Sequence, residues 1–252
     1  MTDLAYLTDM ASAYVRTFTA RVTALPPGAV VLDRTYFYPM GGGQPGDRGS
    51  LTVGDSAPME VVDVSKSGAS VLHRLRPRGG GGKGLALGAE VEGRIDWARR
   101  HRHMRLHTAQ HLVSAMVFER TGLRTRHANL SGIGATIDLE ASLPDDAVDA
   151  VSQAVGDELR NVRPVSIRAI PRSEWDGHPT SRRSGLVPLA PHVDPVRVIE
   201  IEGADICPCG GTHVRSTGEI GPLRFAAPYR NTDGSVRIGF TLAEPDRPIP
   251  DG

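Results

Sequence analysis

The histidines His107 and His111, in the stretch HTAQHL, stand four residues apart in a segment whose apolar spacing predicts a helix over 103–119. This spacing puts both imidazoles on one helix face, close enough to bind one cation, although two partly exposed helix histidines would show the same spacing. Much later, CPCGGTHV places Cys209 and His213 four apart, on a Gly-Gly loop after the strand VRVIEI. Three imidazoles and a thiolate suit Zn²⁺ better than a cation that prefers oxygen ligands, so the sequence predicts a zinc site built from two distant segments.

Neighbouring residues of the same types compete for this assignment. Cys207 lies one residue outside the four-residue step and follows an apolar Ile, so we expect a half-buried thiol there. A disulfide between Cys207 and Cys209 would close a strained ring, which argues against a secreted disulfide scaffold. His101 and His103 are two apart and diverge on a helix, so we expect them on a basic, solvated face.

The stretch MGGGQPGDRG, residues 40–49, contains the Gly-Gly-Gln tripeptide that peptide release factors use to cleave an ester on tRNA. Two interpretations remain open on the local sequence. Gln44 belongs either to a loop that acts on an ester or to a glycine-rich surface turn, because glycine accepts backbone angles that other residues avoid.

The elements that would position these residues fall into two groups. Residues 14–76 carry short β-branched runs separated by turn signals, which predicts a small all-β domain. A glycine-rich linker over 77–88 and one more strand, VEGRIDW, follow. After the first helix, which we expect to end at Thr121-Gly122, come a hairpin in HANLSGIGATIDLE, an amphipathic helix over 144–162 and four further strands. The pattern predicts an α+β fold divided near residue 90, with a frayed Pro-rich tail beyond Leu242.

Composition narrows the function classes. The 252 residues carry 29 basic and 29 acidic side chains, which argues against strong, non-specific polyanion binding. No stretch approaches the length of a membrane span and no signal peptide is apparent, so we expect a cytosolic protein. Local basic clusters remain, and their candidates for phosphate contact are Arg102, Arg105, Arg124 and Arg126, with a solvated charged face as the alternative.

Four motifs taken together carry a family resemblance. In chain order, FYPMGGGQPGDRG, HTAQHL, CGGTHV and STGEIGPLRF resemble the editing domain of alanyl-tRNA synthetases and, more closely, the free-standing AlaX family of alanyl-tRNA editing proteins. The resemblance runs from about residue 15 to about 242. The editing domain of threonyl-tRNA synthetase shares the two metal-binding patterns but not the GGQ-bearing domain.

The resemblance implies a fold and an activity. The fold would be a small β-barrel-like domain carrying the GGQ loop, residues 1–90, followed by a zinc-binding α+β editing domain with a central antiparallel sheet, residues 91–252. The activity would be hydrolysis of the ester that joins serine, and sometimes glycine, to tRNA(Ala). Zinc would be held by His107, His111, Cys209 and His213. Because four protein ligands leave no open position, either one of the four is loose or the metal organises the pocket without activating water.

The same resemblance implies further site residues. Gln44 and Thr212 are candidate catalytic residues, and Gly42 and Gly43 would let backbone N–H groups approach the ester. Thr35 is a candidate for recognising the substrate side chain, and both threonines have a structural alternative.

The chain departs from the family where Ala128-Asn129-Leu130-Ser131 replaces an aromatic-His-Leu-Gly stretch. Asn129 is therefore a candidate substrate contact that would change the accepted amino acid. The expected partner is tRNA, with no membrane or DNA, and the oligomeric state is open. Two alternatives remain: the same fold acting on another aminoacyl-tRNA or aminoacyl ester, and a non-catalytic tRNA-binding module with a structural zinc.

Overall fold

The computed structural model describes residues 1–76, 83–131, 133–182 and 189–243. The first six residues of the expected linker and the Pro-rich tail after residue 243 lie outside these ranges. The chain divides into two compact units, Met1–Arg102 (unit 1) and His103–Gly252 (unit 2), so the division falls inside the first long helix. The expected separation near residue 90 into domains with different roles stays a prediction.

Unit 1 is built from β-strands, all but two of which pair in a ring. The strands are β1 (Asp3–Leu4), β2 (Thr17–Ala24), β3 (Ala29–Leu32), β4 (Arg34–Thr35), β5 (Gly49–Thr52), β6 (Met59–Ser67), β7 (Ser70–Arg76) and β8 (Glu90–Ile95). Neighbours in the order β2-β3-β7-β6-β5-β8 are antiparallel, and β8 pairs back with β2, so the sheet closes into a barrel. The β-branched stretches of the sequence predicted β2, β3, β6, β7 and β8, whereas β5 was not predicted.

Alternation along the strands builds the barrel core. In β2 the side chains of Phe18, Ala20 and Val22 are buried while the residues between them are exposed. They pack with inward-facing residues of the other strands, among them Leu51 and Val61. A period of two is what a strand with one covered face requires.

Unit 2 combines helices with two antiparallel sheets. The helix α1 (Trp97–Thr121) enters it from unit 1, and the remaining elements are β9 (Thr125–Leu130), β10 (Gly134–Leu139), α2 (Asp145–Leu159), β11 (Val165–Ile170), α3 (Arg172–Gly177), β12 (Val196–Ile201), β13 (Asp205–Pro208), β14 (Leu223–Phe225), β15 (Tyr229–Arg230) and β16 (Val236–Leu242). The central sheet has the order β14-β16-β10-β9, with β15 beside β16, and a second sheet has the order β11-β12-β13. The predicted α+β class with antiparallel sheets is confirmed.

The helix α1 is the element on which the site depends. It contains the predicted segment 103–119 and begins six residues earlier. It ends as expected: the N–H of Gly122 donates to Phe118 O, and Gly122 has a φ of 72°, a left-handed conformation that suits glycine at a helix C-terminus. Every residue from His103 to Val113 is buried. Among the described residues, no helix is long and apolar enough to cross a membrane.

Candidate metal centre

Four side chains from α1 and from the loop after β13 meet in unit 2. The possible ligand atoms of His107, His111, Cys209 and His213 all lie within 4.8 Å of one another. The Sγ atom of Cys209 is 3.5 Å from Nε2 of His107 and 3.3 Å from Nε2 of His213. The four residues of the two predicted pairs lie together, and the cluster could hold a metal ion.

Local geometry brings each pair together. One helical turn separates His107 from His111, and their ring centroids are 5.3 Å apart. The loop that carries Cys209 and His213 follows β13 rather than the strand VRVIEI directly, so the sequence missed one intervening strand. The guanidinium of Arg197 donates to the carbonyls of Cys209 and Gly211, which fixes this loop.

Hydrogen bonds outside the cluster hold two of the imidazoles. His111 Nδ1 lies 3.2 Å from a carboxylate oxygen of Asp205, and both side chains are almost fully buried. His213 Nδ1 lies 3.1 Å from the hydroxyl of Thr108. The sequence did not single out Asp205 or Thr108, because neither belongs to a ligand spacing that could have pointed to it.

Burial and neighbouring charge set the protonation of the metal-free cluster. Desolvation opposes the charged form of His111, but the hydrogen bonds that its ring donates to Asp205 and Cys209 outweigh this effect and raise the pKa of His111 to about 10. Desolvation and the nearby His107 lower the pKa of His213 to about 3, which keeps that imidazole neutral. Desolvation opposes the thiolate of Cys209, but His107 and His213 hold its pKa well below the usual range. A thiolate and a neutral imidazole are the forms that bind a metal, so metal binding requires His111 to release a proton.

Cys207 does not belong to the cluster. It lies on β13 opposite Ile199, and its thiol contacts the carbonyl of Pro208 at 3.7 Å. The question that the sequence left open between the two cysteines is therefore resolved in favour of Cys209.

The expectation of a solvated face for the HRH histidines was wrong for His103, which is fully buried because α1 is covered on all sides there. His101 is half-buried and stacks on Trp97 in unit 1.

The glycine-rich stretch forms a tight turn in unit 1. The backbone N–H groups of Gly41 and Gln44 each donate to the other residue's carbonyl, at 3.1 and 2.9 Å. Gly42 and Gly43 stand between them with φ values of 54° and 80°. Two central residues with positive φ are typical of a type I′ turn, which explains why two glycines are needed here.

A buried ion pair anchors the PGDRG segment that follows this turn. Arg100 is fully buried and donates to the carboxylate of Asp47, as well as to the carbonyls of Ala13 and Tyr36. Asp47 also accepts from the N–H of Tyr38 at 2.6 Å. Replacing one partner would leave a buried charge unpaired, so the pair holds the PGDRG segment firmly within unit 1.

Comparisons with known proteins agree with this geometry. Residues 7–99 match the family model of tRNA synthetases class II (A), and residues 196–238 match the threonyl and alanyl tRNA synthetase second additional domain. The chain is 34% identical to the alanyl-tRNA editing protein AlaX-M of Methanosarcina acetivorans, over 97% of this chain and 100% of the relative. The corresponding protein of Methanosarcina mazei is 33% identical over 97% of this chain and 98% of its own. The chain belongs to the AlaX-M family of alanyl-tRNA editing proteins. It is also 35% identical to the alanine–tRNA ligase of Pyrococcus furiosus, over 92% of this chain and 25% of the ligase.

Thr35, a substrate-binding candidate in this AlaX-M chain, is fully buried in unit 1. Its hydroxyl lies 2.8 Å from His73 Nε2 and accepts from the N–H of Phe37 at 3.1 Å. The other ring nitrogen of His73 faces the carbonyl of Val30, which can only accept, so Nε2 accepts from Thr35. These contacts favour the structural alternative for Thr35.

Two further candidates for catalysis and substrate binding, Thr212 and Asn129, differ in burial. Thr212 lies in the ligand loop and is buried. Asn129 is exposed on β9, where it pairs with Thr136. Thr125 of the same strand is buried and bonds to Ser114 of α1. The roles of Thr212 and Asn129 stay predictions.

The expected phosphate-binding arginines divide into two kinds. Arg105 is buried, and its guanidinium donates to Ile220 O at 2.7 and 3.0 Å, which ties α1 to the STGEIGP stretch. A Cβ at Gly221 would lie 2.9 Å from that guanidinium, so this motif has a structural reason to keep a glycine. Arg124 is exposed but paired with Glu140, Arg126 is exposed, and Arg102 is half-buried.

Proposed function

We propose that this chain hydrolyses the ester that joins serine or glycine to tRNA(Ala), acting in trans on tRNA charged by a synthetase. As a member of the alanyl-tRNA editing family the chain is an aminoacyl-tRNA deacylase. Which amino acids it removes and which metal it binds are proposed here. The observation that carries it is the His₃Cys cluster, which lies in a chain that matches an alanyl-tRNA editing protein from end to end. The tRNA is its partner, and we place the reaction in the cytoplasm with translation.

We assign Zn²⁺ as the metal because the donor set fits it. Three neutral imidazoles and one thiolate form the N₃S set that zinc accepts in tetrahedral sites, whereas Mg²⁺ and Ca²⁺ prefer oxygen. His107, His111, Cys209 and His213 would hold the ion. When bound, zinc would supply positive charge that orients the amino or hydroxyl group of the aminoacyl moiety.

The chain's own residues would supply positioning. An aminoacyl ester is already activated, so orientation of the ester and stabilisation of the developing oxyanion account for most of the catalysis needed. We assign contact with the ester to Gln44, Gly42 and Gly43, and a hydroxyl contact with the aminoacyl group to Thr212. In this proposal residues 1–90 form the GGQ-bearing domain and residues 91–252 form the zinc-binding editing domain.

We assign contact with the tRNA backbone to the exposed arginines. Arg126 and Arg124 are exposed, Arg124 in a pair with Glu140, and Arg102 is half-buried. Phosphate contacts of this kind position a nucleic acid without reading its sequence. Arg105 is bonded to Ile220 O, which assigns it to the structure of unit 2 instead.

Deacylation of defined substrates tests the proposal. The purified protein is incubated with seryl-, glycyl- and alanyl-tRNA(Ala) and with seryl-tRNA(Thr), with and without a chelator. We expect release of serine and glycine from tRNA(Ala), lost when the metal is removed. Release from none of the four would refute an editing enzyme and leave a tRNA-binding module, and equal release of alanine would refute editing as the role.

The role of Gln44 needs a separate variant, because loss of any metal ligand would abolish activity whatever zinc does. Gln44→Ala should lower kcat at unchanged zinc content. The matched control is Gln153→Ala, at an exposed position of α2. If Gln44→Ala deacylates seryl-tRNA(Ala) at the wild-type rate, Gln44 only shapes the turn.

A further inference from the structure

The hydroxyl of Thr108 fixes which nitrogen of His213 is available to a metal. Its single hydrogen is directed to the carbonyl of Met104 at 3.0 Å, one turn back along α1. Its oxygen therefore accepts from Val214 N–H at 3.2 Å and from His213 Nδ1 at 3.1 Å. A neutral His213 must then carry its hydrogen on Nδ1, which leaves the lone pair of Nε2 free towards Cys209.

The carboxylate of Asp205 does the same for His111. A carboxylate can only accept, so a neutral His111 keeps its one hydrogen on Nδ1, 3.2 Å from Asp205, and Nε2 is then the nitrogen that a metal would bind. Asp205 is held in place by the β12–β13 hairpin, where it pairs with Ile201 across a turn that contains Gly203. Asp205 opens β13 and Cys209 follows its last residue, so one short strand positions both a carboxylate and a thiolate against α1.

Asp205 also sets the charge of the centre. A divalent cation bound to the Cys209 thiolate carries a net charge of +1, and the adjacent Asp205 carboxylate balances it. A buried group of charges is favourable only when it is paired and hydrogen-bonded; Asp205 and the three histidines are buried, and Cys209 is half-buried.

We propose that Asp205 and Thr108 are positioning residues that preset His111 and His213 as Nε2 ligands. The metal of this inference is the one assigned in the proposed function, and the inference deepens that assignment. A centre that is closed by four ligands and neutralised by Asp205 polarises water less than an open dicationic one.

Metal affinity, measured by competition with a chelator, tests the positioning roles without using catalysis. Asp205→Ala and Thr108→Val should each weaken zinc binding on the order of 10- to 100-fold, as loss of groups that orient metal ligands does elsewhere. Asp205→Asn keeps an acceptor but not the charge, so its loss should be smaller than that of Asp205→Ala. The visible spectrum of the cobalt-substituted Asp205→Ala protein should shift and weaken as the orientation of His111 is lost.

Two control variants remove a similar hydroxyl and a similar carboxylate away from the cluster. Thr121→Val removes a hydroxyl that bonds to the carbonyl one turn back on the same helix, Val117 O at 2.7 Å, and Asp149→Ala removes an exposed carboxylate from α2. Both should bind zinc within about twofold of wild type, and thermal melts of the metal-free variants report folding. Wild-type affinity and an unchanged cobalt spectrum in Asp205→Ala and Thr108→Val would overturn the inference. A wild-type protein that binds zinc in this way but deacylates no tRNA would overturn the proposed function alone.

Discussion

The buried His73 makes unit 1 sensitive to acid. Burial lowers its pKa from 6.5 to about 4, although the bond to Val30 O partly opposes this. The unfolded chain therefore binds a proton between pH 6.5 and about 4 that the folded chain excludes, and stability falls as the pH falls through this window. At about 1.4 kcal/mol per pH unit, the loss is about 3 kcal/mol. Above pH 6.5 the contribution is fully present.

A variant without the titrating ring isolates this effect. In His73→Asn the amide nitrogen can replace Nδ1 as donor to Val30 O, and no group titrates there. Urea unfolding from pH 7 to 4 is followed by Trp97 fluorescence in a Trp175→Phe background, since the chain has two tryptophans and Trp97 lies in unit 1. Wild type should lose about 3 kcal/mol more than His73→Asn over this range, because all other titrations are shared.

The neutral state of His73 and its hydrogen bond to Thr35 can each be tested separately. Parallel stability curves for wild type and His73→Asn would show that His73 is not held neutral by burial. The companion change Thr35→Val removes the donor to Nε2 and should cost about 1–3 kcal/mol at pH 7, the typical penalty for a buried unsatisfied group. Thr35→Ser keeps the hydroxyl and should stay close to wild type. If Thr35→Val is as stable as wild type but deacylates poorly, the substrate role of Thr35 is restored.

Three further expectations concern the metal cluster, the buried ion pair and the glycine turn. Cys209→Ala should lose bound zinc while Cys207→Ala retains it, by metal analysis of the purified proteins; the reverse result would exchange their roles. Arg100→Met should destabilise unit 1 by about 3–5 kcal/mol in urea unfolding, because Asp47 is left charged and buried, and a cost below about 1 kcal/mol would contradict a buried pair. Gly42→Ala should cost about 1–2 kcal/mol, since an added Cβ meets Tyr38 Oη only at 3.9 Å and the penalty comes from its positive φ alone; an unchanged urea midpoint would argue against the type I′ turn.

Spacing along the chain was enough to find much of the candidate site. The four-residue steps His107–His111 and Cys209–His213 are local patterns, and a helix turn or a short loop converts each into a shared direction. The end of α1 at Gly122 and the strands with alternating burial were predictable for the same reason, because backbone preference and side-chain period act over a few residues.

Residues whose role depends on distant partners were beyond sequence reasoning. His111 meets Asp205 across 94 positions, and Arg105 meets Ile220 across 115. Neither spacing repeats a motif, so Asp205 was missed and Arg105 was expected at a phosphate. The expected solvated face for His103 failed similarly, because a local pattern does not report what covers a helix.

The sequence by itself determined the α+β class, the two pairs of candidate metal ligands and the need for glycine in the GGGQ turn, since each follows from contacts between near neighbours in the chain. Tertiary structure alone decided that β8 closes the barrel on β2, that Cys209 rather than Cys207 joins the histidines, and that Thr35 bonds to His73. These outcomes depend on which buried polar groups meet when separate segments pack, and burial makes an unmatched partner costly.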